Sequence, residues 1–400
     1  MDIEKQAKAS NEAIVALRRE LHAHPELEHD LPFTESVIVR ELSKLGLDEV
    51  KSGQGKGHGV FATLKGGKPG KADKANKVLA LRADMDALPV KEETGLPFAS
   101  DNGRMHACGH DAHVAMLLGT AKLLAEARAE LAGTVRFIFQ PSEETVWGAL
   151  SMIESGALEN PHVDEVVGLH TGNIWSEMEP GEIGWRAGPM MAASTTCRIL
   201  LECKGGHGAL PHLTVDPIVM AAEVISQLQT LISREVNPFD PAVVTIGKIE
   251  GGRAQNVIAE SCEMRGTVRS FDPKVDAFLK ERIRATAEGI AASMRGRATV
   301  EFFGDLPAVI NDKTISWRMR DIVKNFLGEQ WIRELELPAS GSEDFSYYLA
   351  KTPGAFFFHC STLGGGRDYP HHHPKFDVNE SVLWTGTAAT TAYALHWQDE

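Results

Sequence analysis

No apolar run in this 400-residue chain is long enough to cross a bilayer, which argues against a membrane span. The opening Met1-Asp2-Ile3-Glu4-Lys5-Gln6 lacks the basic patch and apolar stretch of a secretory signal, so a cytoplasmic location is expected. Basic residues are outnumbered: 41 Lys and Arg face 55 Asp and Glu, a formal net charge of −14. No basic stripe stands out to neutralise phosphates, which excludes nucleic acid as the expected partner. Cysteine is scarce. The five, at 108, 197, 203, 262 and 360, are odd in number and irregularly spaced, so no disulfide framework is predicted. A reducing compartment fits, and it would leave Cys108 free for metal.

What is present reads as a soluble globular protein, with 43% hydrophobic and 24% charged residues and length enough for two or three domains. One stretch concentrates chemistry. Met105-His106-Ala107-Cys108-Gly109-His110-Asp111-Ala112-His113 holds a thiol, three imidazoles and a carboxylate. Asp84-Met85-Asp86 precedes it, and Gln140-Pro141-Ser142-Glu143-Glu144 follows. Soft thiolate, borderline imidazole and hard carboxylate together suit zinc or a similar divalent ion. The adjacent carboxylate pair can supply one ligand and one proton-transfer group. A metal-dependent hydrolase is the expectation; a core cysteine with surface histidines is the bland alternative.

Helices are predicted near Asn11–His22 and Thr34–Leu45, and a solvated Gly- and Lys-rich loop over 65–77. Alternation then begins: a strand at Val78–Arg82, a helix from about Ala112 to Leu131, a strand at Thr134–Gln140, a short helix at Gly148–Ser155 and a strand at Glu165–Leu169. This order predicts an α/β domain with a mainly parallel sheet flanked by helices. Asp84, Glu143, Glu144 and His170 each follow a strand, and parallel sheets gather ligands at the carboxyl ends of their strands. From about Ala192 to Phe303 the pattern becomes β-α-β-β-α-β, the order of a ferredoxin-like sandwich, with Asp216-Pro217 and Asp272-Pro273 as matched helix starts. An inserted domain is expected at 191–304, between two parts of the first at 1–190 and 305–400. A helix near Thr314–Leu327 follows, then Gly341-Ser342-Glu343-Asp344-Phe345 and His371-His372-His373-Pro374.

These motifs, together with Leu81-Arg82-Ala83-Asp84-Met85-Asp86, Gly188-Pro189-Met190-Met191-Ala192-Ala193-Ser194, Lys204-Gly205-Gly206-His207 and Ala254-Gln255-Asn256, resemble the M20 metallopeptidases. The Cys-Gly-His-Asp form resembles the amidohydrolase branch, with its hippurate hydrolases, N-acyl-L-amino acid amidohydrolases and auxin-conjugate hydrolases. The likeness covers essentially the whole chain. It implies a two-metal site, filled by Zn²⁺ or Mn²⁺, with Co²⁺ or Ni²⁺ as alternatives. Cys108, His110, Glu144, His170 and His372 occupy ligand positions, with His371 and His373 as substitutes for the last. Glu143 matches the general base. Asp84 stands where other branches carry a histidine ligand; it and Asp86 read as carboxylates that orient the ligands from behind. Asp111 and His113 read either that way or as a helix-start pair. On the inserted domain, His207 matches a histidine that stabilises an oxyanion, with His212 next, while Asn256, Arg269 and His212 resemble substrate-holding positions. The implied reaction splits N-acyl or N-aroyl amino acids into a carboxylic acid and an amino acid. A dipeptidase or a hydrolytic aromatic-amine deaminase is the alternative. The implied assembly is a homodimer or larger, built through the inserted domain.

Overall fold

The structure is a computed structural model that describes residues 1–68 and 77–399. Most of the loop expected at 65–77 lies outside the described residues. The chain divides into two compact units. The first comprises Met1–Met190, Ile310–Ala339 and Asp344–Glu400; the second comprises Met191–Val309 and Ser340–Glu343.

The first unit is built on an eight-stranded sheet. Its order is Glu49–Gln54, Gly59–Lys65, Thr134–Gln140, Val78–Asp84, Glu165–Gly172, Gly354–Cys360, Ile183–Trp185, Ile332–Glu334. The four strands in the middle run parallel to one another, and antiparallel neighbours extend the sheet on either side. Val78–Asp84 and Gly354–Cys360 are buried along their whole length. That is the signature of strands covered on both faces, and it explains their unbroken apolar runs. Helices Ile3–His22, His110–Glu126 and Leu383–His396 pack on one another. The first helix begins eight residues earlier than Asn11, capped by the Asp2 carboxylate, which accepts from the Lys5 amide. Leu383–His396 is buried all round, and Gly386 lets it approach its neighbour, since a Cβ there would stand 2.4 Å from the Met116 sulfur. Strand Glu165–Gly172 runs three residues past its expected end, so His170 sits within the strand rather than after it.

The second unit carries a four-stranded antiparallel sheet in the order Ala242–Gly251, Ser261–Ser270, Ala193–Glu202, Arg297–Leu306. Helices Pro217–Thr230 and Pro273–Ser293 supply the crossovers, which makes the arrangement ferredoxin-like. Both helices start as their sequence suggests. The Asp216 carboxylate accepts from the amides of Ile218 and Val219, and the Asp272 carboxylate from that of Lys274. The last strand continues to Leu306, so this unit ends at Val309 rather than at 304, and it also takes in Ser340–Glu343.

Candidate metal centre

Three segments of the first unit meet at the carboxyl end of its parallel strands. Asp84 ends one strand, Glu143 and Glu144 follow the next, and His170 lies near the end of a third. Between Cys108 and His110, Gly109 takes a left-handed turn with φ 85° and opens the helix His110–Glu126. A Cβ there would stand 3.0 Å from the Thr171 methyl, so the turn also needs glycine for space. It aims the thiol and the imidazole at one place. The potential ligand atoms of Cys108, His110 and His170 lie within 4.8 Å of one another, and so do those of Cys108, Glu144 and His372. Cys108 belongs to both sets. Its sulfur is 3.5 Å from His170 Nε2, and Glu144 Oε1 is 3.4 Å from His372 Nε2 and 3.9 Å from His110 Nε2.

Hydrogen bonds fix which nitrogens face the cluster. His110 Nδ1 is 2.9 Å from the Asp86 carbonyl, and His170 Nδ1 is 2.8 Å from the Thr171 carbonyl. A carbonyl only accepts, so each Nδ1 carries a proton and each Nε2 is the nitrogen turned toward the cluster. His113 is the converse. Its Nε2 accepts from the Thr171 amide at 2.7 Å while its Nδ1 bonds to Asp84, so it has no lone pair left for a metal. His372 joins the cluster with its side chain half exposed. Its neighbours do not: His371 Nε2 donates to the Thr171 carbonyl, and His373 Nδ1 accepts from the Lys375 amide.

The residues present fit divalent cations. His110 Nε2 and Glu144 Oε1 are buried with no hydrogen-bond partner among the described residues, an arrangement that costs free energy unless something binds there. Burial disfavours a charged His110, yet Asp84, Asp86 and Glu144 together lift its pKa to about 10. Burial, reinforced by Glu144, Glu143 and Asp84, pushes the Cys108 thiol up. The carboxylates that raise His110 against burial mark a site that attracts a cation. A cation would replace the proton on each group.

Supporting carboxylates brace this cluster. Asp86 accepts the amides of both Glu143 and Glu144, at 2.9 and 3.1 Å, and so holds the loop that carries them by its backbone. Asp84 takes Arg82 Nη1 at 2.6 Å. Asp344, in a motif to which the sequence alone assigns no role, accepts from Arg82, from the Gln140 amide group and from the Ala149 amide, and its own amide donates to Glu143 Oε1 at 3.4 Å. Burial raises its pKa to about 6 against the opposing pull of Arg82. Asp111 corrects an expectation. Its carboxylate accepts from Arg18 Nε at 2.8 Å and pairs with His22 Nδ1 at 2.7 Å instead of bracing a ligand. Arg18 also reaches Asp377 and Glu380. Arg18 and His22 lie 93 and 89 residues from Asp111, and nothing in the local pattern could have joined them.

The remaining expected residues lie in the second unit. His207 and Asn256 come together on a short ribbon, where His207 pairs with Val257 and the Gly208 amide donates to the Asn256 carbonyl at 2.8 Å. His207 is exposed, and so is His212, on the turn Pro211–Leu213. Arg269 is half-buried, donates to the Ser342 hydroxyl, and has no ion pair among the described residues.

A pocket of mixed donors with a carboxylate held beside it is what a hydrolase that uses metal requires. The chain belongs to the peptidase family M20/M25/M40, whose model matches residues 80–396. It is 40% identical to an N-acetylcysteine deacetylase of Bacillus subtilis, over 94% of this chain and 94% of that one. It is 38% identical to an IAA-amino acid hydrolase of Arabidopsis thaliana, over 96% of this chain and 85% of that one. Among solved structures it resembles a dinuclear metal-binding peptidase of the M20 family from Bacillus subtilis, with 36% identity, a TM-score of 0.84 and coverage of 98% of this chain and 99% of that one. No helix among the described residues is long and apolar enough to cross a membrane.

Proposed function

We propose that this protein is a metal-dependent amidohydrolase that cleaves the amide bond of N-acyl or N-aroyl amino acids. The observation that carries the reading is the pair of ligand sets sharing Cys108, with Glu143 beside them. Cys108, His110 and His170 would hold one divalent ion, and Cys108, Glu144 and His372 a second, with Zn²⁺ or Mn²⁺ the expected metals. Bound there, the ions supply Lewis acidity that lowers the pKa of water and polarises a carbonyl. Glu143 takes a proton from the attacking water and passes it to the leaving nitrogen as the C–N bond breaks, so that water is divided between the acid and the amine. Asp86 and Asp344 hold that carboxylate in place through backbone bonds. Arg269, half-buried and with no ion pair among the described residues, suits the substrate's carboxylate, with Asn256 and His212 as further contacts. His207 is the candidate donor to the oxyanion. Five free cysteines suit a reducing cytoplasm, and the second unit is the candidate surface for a homodimer.

The test is hydrolysis of N-acetyl, N-benzoyl and indole-3-acetyl amino acids beside dipeptides and aryl amines, with chelated and re-metallated protein. Metal-dependent release of amino acid from the acyl compounds is expected. Turnover confined to dipeptides or aryl amines would move the assignment to another scissile bond. Full turnover without metal would refute it.

A further inference from the structure

Two of the potential ligands, His170 and His372, arrive on segments two hundred residues apart in sequence, and a residue that binds neither set ties them together. His371 adjoins His372, whose left-handed backbone, φ 67°, turns the two neighbouring side chains in different directions. The His372 ring goes to Glu144, while the His371 ring goes to the strand that carries His170. There its Nε2 donates at 3.0 Å to the Thr171 carbonyl, the same oxygen that fixes the His170 tautomer. The ring also packs edge-on against His170, with centroids 5.3 Å apart, and lies 4.8 Å from the Phe376 ring on its own loop. This seat exists only because position 172 is glycine. A Cβ on Gly172 would fall 2.0 Å from His371 Nε2, and the φ of 146° disfavours any other residue. The His372 amide adds a third tie, donating at 2.7 Å to the Ala107 carbonyl beside Cys108.

We propose that His371 is a positioning residue, a staple seated on Gly172 that holds His170 and His372 at the spacing two metal ions require. The inference rests on the reading of His170 and His372 as ligands. Its chemistry is that of a hydrogen-bond donor behind a metal ligand. Removal of such partners typically weakens metal affinity by about 10–100-fold.

The experiment titrates Zn²⁺ into chelator-stripped full-length protein and follows binding calorimetrically, with circular dichroism as the check on folding. His371→Leu, which keeps the bulk but loses the donor, should weaken binding of at least one ion by about 10–100-fold. His371→Gln, which can return an N–H to nearly the same point, should stay close to wild type. Gly172→Ala should behave like His371→Leu because its methyl expels the ring, and the double variant should lose no more than either single one. Wild-type affinity in His371→Leu, or equal loss in the Gln and Leu variants, would overturn the staple. Should the Leu variant not fold, a Gln variant near wild type beside a weakened Gly172→Ala supports it, and the reverse overturns it. His170→Ala separates this inference from the one beneath it. It should lose an ion outright; if it keeps both, the ligand assignment has failed whatever His371 does.

Discussion

Replacing Glu143 by Gln isolates proton transfer from metal binding. The side chain is only 7% exposed, so a change of shape there would disturb packing, and Gln is nearly isosteric. Its amide oxygen can still accept from the Asp344 amide, as Glu143 Oε1 does at 3.4 Å, and its backbone amide can still donate to Asp86 at 2.9 Å. The loop therefore keeps its place. What disappears is the ability to take a proton. General acid–base groups typically contribute ~10²–10⁴-fold. That corresponds to about 3–5 kcal/mol of transition-state stabilisation. The metal should stay, because Glu143 is in neither ligand set that contains Cys108, and its charge is one of those that oppose ionisation of that thiol. The assay is steady-state kinetics on an N-acyl amino acid alongside metal analysis of the same sample. A fully metallated variant that loses less than about tenfold in kcat would refute the role of the base, since even the weakest typical contribution exceeds that. Loss of metal would refute the division of labour between Glu143 and Glu144.

Further outcomes follow from the same geometry. Metal affinity should fall with falling pH: His110, lifted to about 10 by its carboxylates, and Cys108, held up by burial, are both protonated near neutrality in the metal-free protein, so binding must expel their protons. Titrations in buffers of different ionisation enthalpy should detect proton release on binding, and a pH-independent affinity would contradict this. Arg18→Met should lower stability by about 3–5 kcal/mol in urea unfolding, because it strands the buried carboxylate of Asp111. A loss under about 1 kcal/mol would mean that His22 alone compensates. His207→Ala should cut kcat by ~10²–10³ with a smaller change in KM, as expected for a donor to developing charge. If only KM moves, His207 binds substrate without stabilising the oxyanion.

The parts of this site legible in the sequence were those whose chemistry is bunched and whose strand ends are marked. Cys108 and His110 share a nine-residue motif, Glu143 and Glu144 are adjacent, and each follows a run that announces a buried strand. The ferredoxin-like order was legible for a related reason: its helices begin at Asp-Pro pairs, and its sheet alternates buried and exposed residues. Leu383–His396 was silent because a helix buried on every side has no period to detect. Partners distant along the chain were equally silent. Asp111 looked like part of the metal motif, but its contacts are Arg18 and His22 on the first helix, and residue type alone could not choose between those fates. Among His371, His372 and His373 the family likeness favours His372, two residues before Pro374, but it does not say where the other two rings go. The left-handed turn at His372 and the missing side chain at Gly172 tell them apart.

Anomalous diffraction from crystals loaded with zinc tests the central claim most directly, because it counts the ions and locates them in one measurement. Two peaks are predicted, each about 2.0–2.3 Å from its nitrogen, oxygen and sulfur ligands. One should lie among Cys108, His110 and His170 and the other among Cys108, Glu144 and His372, with the Cys108 sulfur between them. A single peak, or density centred instead on Asp84, His110 and His113, would contradict the account.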